Sequence, residues 1–497
     1  MDRQGDDSGF LYTAEQVRRI DRAAIERCGI AGIELMRRAA AAAFDALRRH
    51  WPAAKHIVLL AGGGNNGGDA FLLGRLALAA GFTVDAIALS PASAGGAQQA
   101  RAAFIASGGR IREAESDRVL PDADVYVDGL FGSGLARPVE GVAATLVDQL
   151  NARAGRVLAL DLPSGLDADS GARRGACVRA DVSVCFVAWK RGMFTADASD
   201  VCGMRELAML DLPSSAFEGA ADAQLLDVGL QRRLLPPRRA NVNKSSFGHV
   251  LVLGGDEGYG GAVRLAGEAA LRCGAGLVSI ATRRAHVAAL NAARPELMAC
   301  GVEDAIALEP LLARASVLAV GPGLAQRDWG RALLAAALTT AKPMVVDADA
   351  LNLLARAPQP LPASVVLTPH PGEAARLLGC EVGTVQRDRF AAVRQLAARY
   401  AATVVLKGAG TLVADPTGRV AVCAWGNPGM ASAGMGDVLT GVVAALLAQG
   451  LDAWDAARLG VSLHARAGDI AAADAPRGLA AGDLAPVLRR LVNGVPA

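Results

Sequence analysis

Short, uninterrupted runs of apolar residues alternate with helical stretches along the whole chain, and this alternation constrains the fold more than any other feature. In the first half the runs span residues 57–61, 83–89, 125–128, 157–161 and 182–187. In the second half they span residues 249–253, 277–281, 317–320, 344–347, 365–368 and 404–407. Runs of Val, Ile and Leu separated by helices are typical of parallel sheets with helices on both faces. The sequence therefore predicts an α/β fold in both halves.

The length of the chain predicts more than one domain. At 497 residues it exceeds what a single hydrophobic core usually organises. Between Asp211 and Ala240 the periodic pattern fades into Leu-Pro-Ser-Ser and Leu-Leu-Pro-Pro-Arg-Arg, and clustered prolines are typical of a linker. We therefore predict two three-layer α/β domains, one over residues 1–215 and one over residues 225–497.

Composition excludes several classes of function. The formal net charge is +2 and no Lys or Arg cluster forms a polyanion-binding patch, so we expect no nucleic-acid partner. No apolar run reaches the roughly 18 residues that cross a bilayer, and the N-terminus is polar and acidic, so we expect no membrane association and no secretion signal. The eight cysteines lack any Cys-x-x-Cys pair, as in proteins of a reducing compartment. The expected location is cytoplasmic.

Three polar loops follow apolar runs of the first half. They are Gly62-Gly-Gly-Asn-Asn-Gly-Gly-Asp69, Asp128-Gly-Leu-Phe-Gly-Ser-Gly-Leu135 and Asp161-Leu-Pro-Ser-Gly-Leu-Asp167. Ligands of parallel sheets bind at the carboxyl ends of the strands, so the loops are expected to form one pocket. The first loop, at a helix start, favours an anion such as phosphate. It does not fit the Rossmann fingerprint, because its glycine spacing is distorted, and its Asn-Gly pairs are also typical of a tight turn.

A different glycine-rich motif stands in the second half, where Gly434-Met-Gly-Asp437 precedes an apolar helical segment. Bare backbone N–H groups at a helix start favour a phosphoryl group. Asp437 is placed to accept a proton from a substrate hydroxyl, and Lys407-Gly-Ala-Gly-Thr411 supplies a cation and a hydroxyl for nucleotide phosphates. An isolated Gly-x-Gly-Asp is more often a simple helix N-cap. The longer stretch from Asn427 to Gly441 is more specific.

That longer stretch resembles the ribokinase-like superfamily, and more narrowly the ADP-dependent NAD(P)H-hydrate dehydratases. The likeness extends to Gly260-Gly-Ala262, Gly274-Ala-Gly-Leu277, Ala293-Arg-Pro-Glu-Leu-Met298, Gly321-Pro-Gly-Leu324 and Thr368-Pro-His-Pro-Gly-Glu373. It implies that the hydrated nicotinamide nucleotide contacts Ala262, Gly323, His370 and Asp437. It also implies that the adenine nucleotide, ADP, is held by Lys407, Gly408, Ala409, Gly410, Thr411 and Gly436.

Two points of this second site stay open at the level of sequence. Phosphoryl transfer normally needs a divalent cation, so Mg²⁺ is expected, but no dedicated carboxylate cluster identifies its ligands. His370 has an alternative role, because a histidine at a helix N-terminus can serve the structure alone.

The three loops of the first half resemble the NAD(P)H-hydrate epimerase domain, a Rossmann-like fold. The resemblance implies substrate contacts from Asn65, Asn66, Gly67, Gly68, Asp69, Gly132, Ser133, Gly134, Leu135, Ala136, Arg137, Pro138 and Asp161. It implies a potassium ion held by Asn66, Asp128 and Ser164, and oxygen ligands that include one carboxylate suit such a hard cation. Asp161 would then be the acid/base residue at C6 of the nicotinamide ring. Its alternative role is a carboxylate that caps its own turn.

Together the resemblances imply a bifunctional repair enzyme with Asp161 and Asp437 as its catalytic residues. It would epimerise R- and S-NADHX or NADPHX, and dehydrate the S epimer at the expense of ADP, giving AMP and phosphate. Phosphorylation makes such a dehydration feasible because phosphate leaves far more easily than hydroxide. The alternative is a ribokinase-superfamily kinase of a small alcohol, such as a vitamin precursor, with a non-catalytic N-terminal binding module. The expected assembly is a homo-oligomer.

Overall fold

The computed structural model describes residues 9–91, 95–117, 119–153, 156–217, 219–473 and 475–495. The chain divides into two compact units, Met1–Gln224 and Leu225–Ala497. Both units are α/β, in agreement with the alternating pattern of the sequence. Across the described part of the chain, no helix has the length and apolar character needed to span a bilayer.

The first unit is built on an all-parallel sheet in the order β4-β3-β2-β5-β6-β7-β9. A separate short strand, β1, pairs with β8 and β10. The strands of this unit are β1 (Phe10–Tyr12), β2 (His56–Ala61), β3 (Thr83–Ala88), β4 (Ile111–Glu113), β5 (Val125–Gly129), β6 (Val157–Leu160), β7 (Val182–Phe186), β8 (Trp189–Lys190), β9 (Met204–Ala208) and β10 (Ala223–Leu225).

Helices cover both faces of this sheet, because successive residues of a buried strand point to opposite sides. Ile57 and Leu59 of β2 belong to one apolar core, whereas Val58 and Leu60 belong to the other. Thr13 caps the first helix through a capping box with Gln16. The helices are α1 (Ala14–Glu26), α2 (Gly32–His50), α3 (Asn65–Ala79), α4 (Gly96–Ala106), α5 (Gly141–Asn151) and α6 (Ala198–Val201).

The second unit contains a sheet in the order β13-β12-β11-β14-β15-β16-β17-β18-β19. Its strands run parallel as far as β17, and a hairpin then adds the antiparallel β18 and β19. The strands are β11 (His249–Leu253), β12 (Leu277–Thr282), β13 (Met298–Gly301), β14 (Val317–Val320), β15 (Met344–Val346), β16 (Val365–Leu367), β17 (Thr403–Leu406), β18 (Thr411–Ala414) and β19 (Val420–Cys423).

The second unit contains twelve α-helices in its described part, of which α16 packs between α8 and α17. They are α7 (Leu230–Leu234), α8 (Gly260–Arg272), α9 (Val287–Ala293), α10 (Ala305–Arg314), α11 (Asp328–Leu338), α12 (Ala348–Arg356), α13 (Pro371–Leu378), α14 (Val382–Arg387), α15 (Arg389–Tyr400), α16 (Met435–Ala448), α17 (Ala453–Ala471) and α18 (Leu484–Val492). A Cβ on Gly441 would lie only 2.0 Å from the Ala266 carbonyl oxygen, so glycine lets α16 pack directly on α8. Helix α16 is apolar almost all round because it is buried between its neighbours.

The segment from Asp211 to Ala240, predicted to be a linker, is more ordered than expected. It contains β10, which pairs with β1 through Gln224 opposite Phe10, and helix α7. Helix α7 is anchored because Leu230 is buried and Gln231 Nε2 donates to the Val492 carbonyl at 3.0 Å. The prolines flank these elements and do not interrupt them, so the backbone hydrogen bonds of both can form.

Candidate active sites

The three polar loops of the first unit follow β2, β5 and β6, which are neighbours in the sheet. The distance from a Cβ atom built onto a loop glycine to the nearest atom of another loop shows how closely the two loops approach each other. A Cβ on Gly62 would lie 1.9 Å from the Leu130 carbonyl oxygen. One on Gly132 would lie 3.1 Å from Asp161 Oδ2 and 3.4 Å from Asn66 Cγ. The fold therefore brings all three loops together at the carboxyl edge of the sheet.

Residues Asn65 to Asp69 form the first turn of α3. Its N-cap is Gly64, which has no side chain to accept from the first N–H groups, so these donors face the loop cluster uncapped. Gly67 packs so tightly that a Cβ would lie 1.9 Å from the Gly62 carbonyl oxygen. The side-chain oxygen and nitrogen of Asn66 are buried and have no hydrogen-bond partner among the described residues. Buried amide atoms without protein partners are suited to contact a ligand or an ordered water.

Asp128, at the end of β5, is fully buried and hydrogen-bonded to Ser164. It accepts from Ser164 Oγ at 2.6 Å, from the Ser164 N–H at 2.8 Å and from the Leu130 N–H at 3.2 Å. Burial raises the pKa of Asp128 to about 6, although the hydrogen bonds from Ser164 oppose that shift. The carboxylate is therefore ionised above that pH, within a set of protein oxygens.

Asp161 does not cap its own turn. Its Oδ2 accepts from the Ser133 N–H at 3.0 Å, and its Oδ1 accepts from the Lys190 ammonium. Its backbone has a φ of +66°, a left-handed conformation that is uncommon for residues with a side chain. Both carboxylate oxygens are thus held by residues outside the 161–167 loop.

Lys190 and Asp21 are charged residues of this region that the sequence reasoning missed. Lys190 is only 1% exposed. Burial alone would lower its pKa, but the charge and hydrogen bond of Asp161, together with Cys185 and Asp21, raise the pKa above its usual value. Burial raises the pKa of Asp21 to about 6. Burial, followed by the charges of Asp161 and Asp21, raises the pKa of Asp69 well above its usual range. One ammonium therefore lies among three carboxyl groups.

The loop from Gly132 to Pro138 lies at the protein surface beside Asp161. Gly134, Ala136, Arg137 and Pro138 are exposed, whereas Gly132 and Ser133 are partly buried next to Asp161. Leu135 packs against the apolar core beneath α5. The loop is therefore anchored at Ser133 and Leu135 and open elsewhere.

In the second unit, Gly434 to Asp437 form the start of α16. Gly434 is the N-cap, with a φ of +88°, and provides no side-chain acceptor for the first turn. A Cβ on Gly436 would lie 3.2 Å from Lys407 Nζ and 3.5 Å from Asp347 Oδ2. An uncapped helix start thus lies directly beside a lysine, an arrangement that favours an anion.

Polar contacts connect this helix start to the ends of two strands, β15 and β17, and to helix α13. Lys407 Nζ bonds to Asp347 Oδ1 at 2.8 Å, and Thr440 Oγ1 donates to Asp347 Oδ2 at 2.8 Å. Lys407 Nζ also lies 3.8 Å from Glu373 Oε2. Burial would raise the pKa of Asp347, but Lys407 together with the hydroxyls of Thr368 and Thr440 holds that pKa below its usual value. The sequence reasoning had not assigned Asp347, Glu373 or Thr440 to the site.

Asp437, predicted as a base, has a raised affinity for protons. Burial, followed by the charge of Asp347, raises its pKa to about 7, against the opposing effect of Lys407. A base with a pKa near the working pH combines a useful ionised fraction with strong proton affinity.

His370 has the structural role that sequence had left as the alternative, and it also lies near the site. It is the N-cap of α13: its Nδ1 accepts from the Gly372 N–H at 3.0 Å, while Glu373 Oε2 accepts from the His370 N–H at 2.8 Å. Its ring remains half exposed, and its Nε2 lies 3.3 Å from Glu373 Oε1. Burial, and then the nearby Lys407, lower the pKa of His370, which favours the neutral ring.

Ala262 and Gly323 lie next to each other. A Cβ on Gly323 would lie 2.6 Å from Tyr259 Cβ and 3.3 Å from Ala262 Cβ. The loop that contains Gly323 is tied to the Asp347 region, because the Ala325 N–H donates to Asp349 Oδ2 at 2.9 Å.

Residues 407–411 form the turn between β17 and β18. Lys407 and Thr411 stand at its two ends, and Gly408, Ala409 and Gly410 lie between them on the surface or close to it. Thr411 Oγ1 donates to the Gly408 carbonyl at 2.9 Å. Behind the turn, a Cβ on Gly408 would meet the Arg389 guanidinium at 3.0 Å. Within the described ranges, no three His, Cys, Asp or Glu side chains group as a metal site.

Comparison with known proteins identifies the family. Residues 250–490 match the family model described as NAD(P)H-hydrate dehydratase, and residues 32–192 match that of the YjeF-related protein N-terminus. Over 492 residues the chain is 46% identical to the bifunctional NAD(P)H-hydrate repair enzyme Nnr of Coxiella burnetii, covering 97% of this chain and 99% of that protein. The chain belongs to the bifunctional NAD(P)H-hydrate repair enzyme family.

Further relatives agree with this assignment. The repair enzyme Nnr of Escherichia coli is 42% identical over 490 residues, covering 97% of this chain and 94% of that protein. The ADP/ATP-dependent NAD(P)H-hydrate dehydratase of Bacillus subtilis, co-crystallised with ATP and Mg²⁺, is similar in structure, with 29% identity and a TM-score of 0.50. That likeness covers 54% of this chain and 98% of the dehydratase.

A ribokinase-like superfamily protein from Enterococcus faecalis is also similar in structure, with 28% identity and a TM-score of 0.51. It covers 56% of this chain and 97% of that protein. The family and fold class predicted from the sequence are confirmed. The alternative of a small-alcohol kinase is not favoured.

Proposed function

We propose that this member of the NAD(P)H-hydrate repair family catalyses two reactions, the epimerisation and the dehydration of NAD(P)H hydrates. The first unit interconverts the R and S epimers of NADHX and NADPHX. The second dehydrates the S epimer at the expense of ADP and releases AMP and phosphate. The observation that carries the proposal is the uncapped start of α16, where Gly436 faces Lys407 Nζ beside Asp437.

The residues of the second unit support a phosphorylation followed by an elimination. The helix start at Gly436 and the ammonium of Lys407 bind phosphoryl oxygens. Asp437 takes the proton of the C6 hydroxyl as that oxygen attacks the terminal phosphorus and the bond to AMP breaks. The ring nitrogen then expels phosphate from C6, and the iminium so formed loses its C5 proton to the departing phosphate, which restores the C5–C6 double bond of NAD(P)H. Ala262, Gly323 and His370 contact the nicotinamide nucleotide, and residues 407–411 hold the adenine nucleotide.

Mg²⁺ enters this proposal with the nucleotide. The described residues offer no three-carboxylate cage, which agrees with a cation bound mainly by phosphates and water. Such a cation would neutralise phosphate charge during the transfer.

The first unit supports epimerisation at C6. Asp161 protonates the leaving oxygen while the ring nitrogen expels it, and takes a proton from the water that returns to the opposite face. Substrate contacts come from Asn65 to Asp69 and from Gly132 to Pro138. Potassium fits the oxygens beside them: Asn66 Oδ1 is buried without a partner, and Asp128 is an ionisable carboxylate bonded to Ser164. Bound there, the ion would supply positive charge close to the substrate.

The dehydratase proposal is tested by incubating the protein with S-NADHX and Mg²⁺, with either ADP or ATP, and following the absorbance of NADH. We expect NADH, AMP and free phosphate with ADP. Accumulation of a stable phosphorylated product would contradict the elimination step. An equal rate with ATP would contradict the assignment of ADP.

The epimerase proposal is tested with R-NADHX and chiral chromatography. We expect exchange between R and S forms that increases with K⁺ and falls about 100-fold or more in Asp161→Asn, the usual contribution of a general acid/base. Exchange that is equal in wild type and Asp161→Asn would exclude Asp161 as the catalytic residue.

A cytoplasmic homo-oligomer completes the proposal. All eight cysteines are free, which supports a reducing compartment. Light scattering of the purified protein measures its assembly, and a monomeric mass at micromolar concentration would contradict the homo-oligomer.

A further inference from the structure

Lys190 is buried, and burial of a lysine ammonium costs free energy unless the charge is paired. It ends β8, the two-residue strand that pairs with β1, and is 1% exposed. Its Nζ donates to Asp161 Oδ1, to the Phe186 carbonyl at 2.7 Å and to Cys185 Sγ at 3.5 Å. A buried ammonium without a partner is strongly disfavoured, so all its hydrogens are directed at acceptors.

Each oxygen of the Asp161 carboxylate accepts a hydrogen bond from a different residue. Lys190 holds Oδ1, while the Ser133 N–H holds Oδ2 at 3.0 Å. Ser133 belongs to the 132–138 loop, and a Cβ on Gly132 would lie 3.1 Å from the same Oδ2. The carboxyl group therefore has one orientation, with its Oδ2 beside the glycine-lined space between the loops.

We propose that Lys190 is a positioning residue for epimerisation, which acts by fixing the orientation of the Asp161 carboxylate. This inference rests on the proposed epimerase function of the first unit. Asp21 on α1 and Asp69 on α3 face the same ammonium, and Cys185 on β7 contacts it. Burial raises the pKa of both Asp21 and Asp69, and the charge of Lys190 acts in the opposite direction by lowering both pKa values. The Lys190 charge therefore acts on all three carboxyl groups around it.

The test replaces Lys190 by methionine in the full chain, because methionine keeps most of the side-chain volume and removes the charge. We expect kcat for epimer exchange to fall about 100-fold while KM changes less than about twofold, since Lys190 contacts Asp161 and not the substrate. Dehydration of S-NADHX by the same preparation should be unchanged. Lys55→Met, at an exposed lysine of the same unit, is the matched control and should keep both activities.

A double variant separates positioning from packing. If Lys190 acts through Asp161, then Asp161→Asn with Lys190→Met should exchange epimers no more slowly than Asp161→Asn alone. The double variant has no unpaired charge in this contact, so it remains informative if Lys190→Met alone does not fold. A further tenfold loss in the double variant, or wild-type kcat in Lys190→Met, would overturn the positioning role. Absence of exchange in the wild-type protein would instead overturn the epimerase function itself.

Discussion

Replacing Gly436 by alanine is the most direct test of the phosphate site. The residue is in the first turn of α16, where alanine is a better helix former than glycine. The added methyl group would lie 3.2 Å from Lys407 Nζ and 3.5 Å from Asp347 Oδ2. It would therefore stand between the helix start and the two charged groups that face it.

We expect this substitution to change the stability of the protein little and to lower its dehydratase activity strongly. Lys407 Nζ is the end of a flexible side chain and needs to move only a few tenths of an ångström, so folding should change by less than about 1 kcal/mol. A phosphoryl oxygen, in contrast, must approach backbone donors to about 2.7–3.1 Å, and loss of one such donor costs roughly 2.7–4 kcal/mol in the transition state. We therefore expect dehydratase kcat/KM to fall at least about 100-fold.

The assay measures NADH formation from S-NADHX with ADP, together with the melting temperature. Gly482→Ala is the control, because a Cβ there meets nothing within 4 Å, and epimer exchange by the same preparation checks the other unit. Wild-type kcat/KM in Gly436→Ala would refute the idea that phosphate binds at this helix start. A fall in melting temperature of more than about 5 °C would attribute the lost activity to unfolding.

Three further predictions concern charge, packing and ion binding. Burial and Asp347 raise the pKa of Asp437 to about 7, and a base acts only when ionised, so dehydratase kcat/KM should fall about tenfold per pH unit below 7 and level off above it. Asp437→Asn should flatten that profile and lower the rate about 100-fold or more; a profile that is flat from pH 5.5 to 8 in wild type would contradict this. Gly441→Ala places a Cβ 2.0 Å from the Ala266 carbonyl oxygen and should lower the free energy of unfolding by about 3 kcal/mol in urea titrations, whereas an unchanged midpoint would show that α8 and α16 separate freely. Asp128→Asn should abolish K⁺ stimulation of epimer exchange without changing dehydration, and stimulation that persists would place the ion elsewhere.

Strands were the part of the fold that sequence predicted best. Each predicted apolar run forms a strand whose ends differ by no more than one residue from the prediction, as β14 over Val317–Val320 and β17 over Thr403–Leu406 illustrate. Burial on both faces demands such runs, so the pattern is strong. The edge strands β4 and β13 were missed because partly exposed strands mix polar or small residues into the run.

Candidate site residues were proposed from sequence where a local motif contained them, whereas residues that only tertiary contacts bring to the candidate sites were not. Asp437 and Lys407 lie in glycine-rich motifs, whereas Asp347 became part of the site through Lys407, 60 residues away. Asp347 did carry a signal, since it directly follows the buried run of β15. Lys190 carried a weaker one, a lysine at the end of the apolar segment 182–189. Its partner Asp161 is 29 residues away, and only folding shows that they meet.

The left-handed backbone of Asp161 has a consequence for substitutions at this position. A residue with a side chain pays roughly 1 kcal/mol or more to adopt that conformation, and glycine avoids most of that cost. Glycine at position 161 would therefore relieve main-chain strain, but it would also leave the buried Lys190 ammonium without this carboxylate. Because losing the partner of a buried charge costs more than such strain, the protein should tolerate glycine there only if Lys190 is replaced as well.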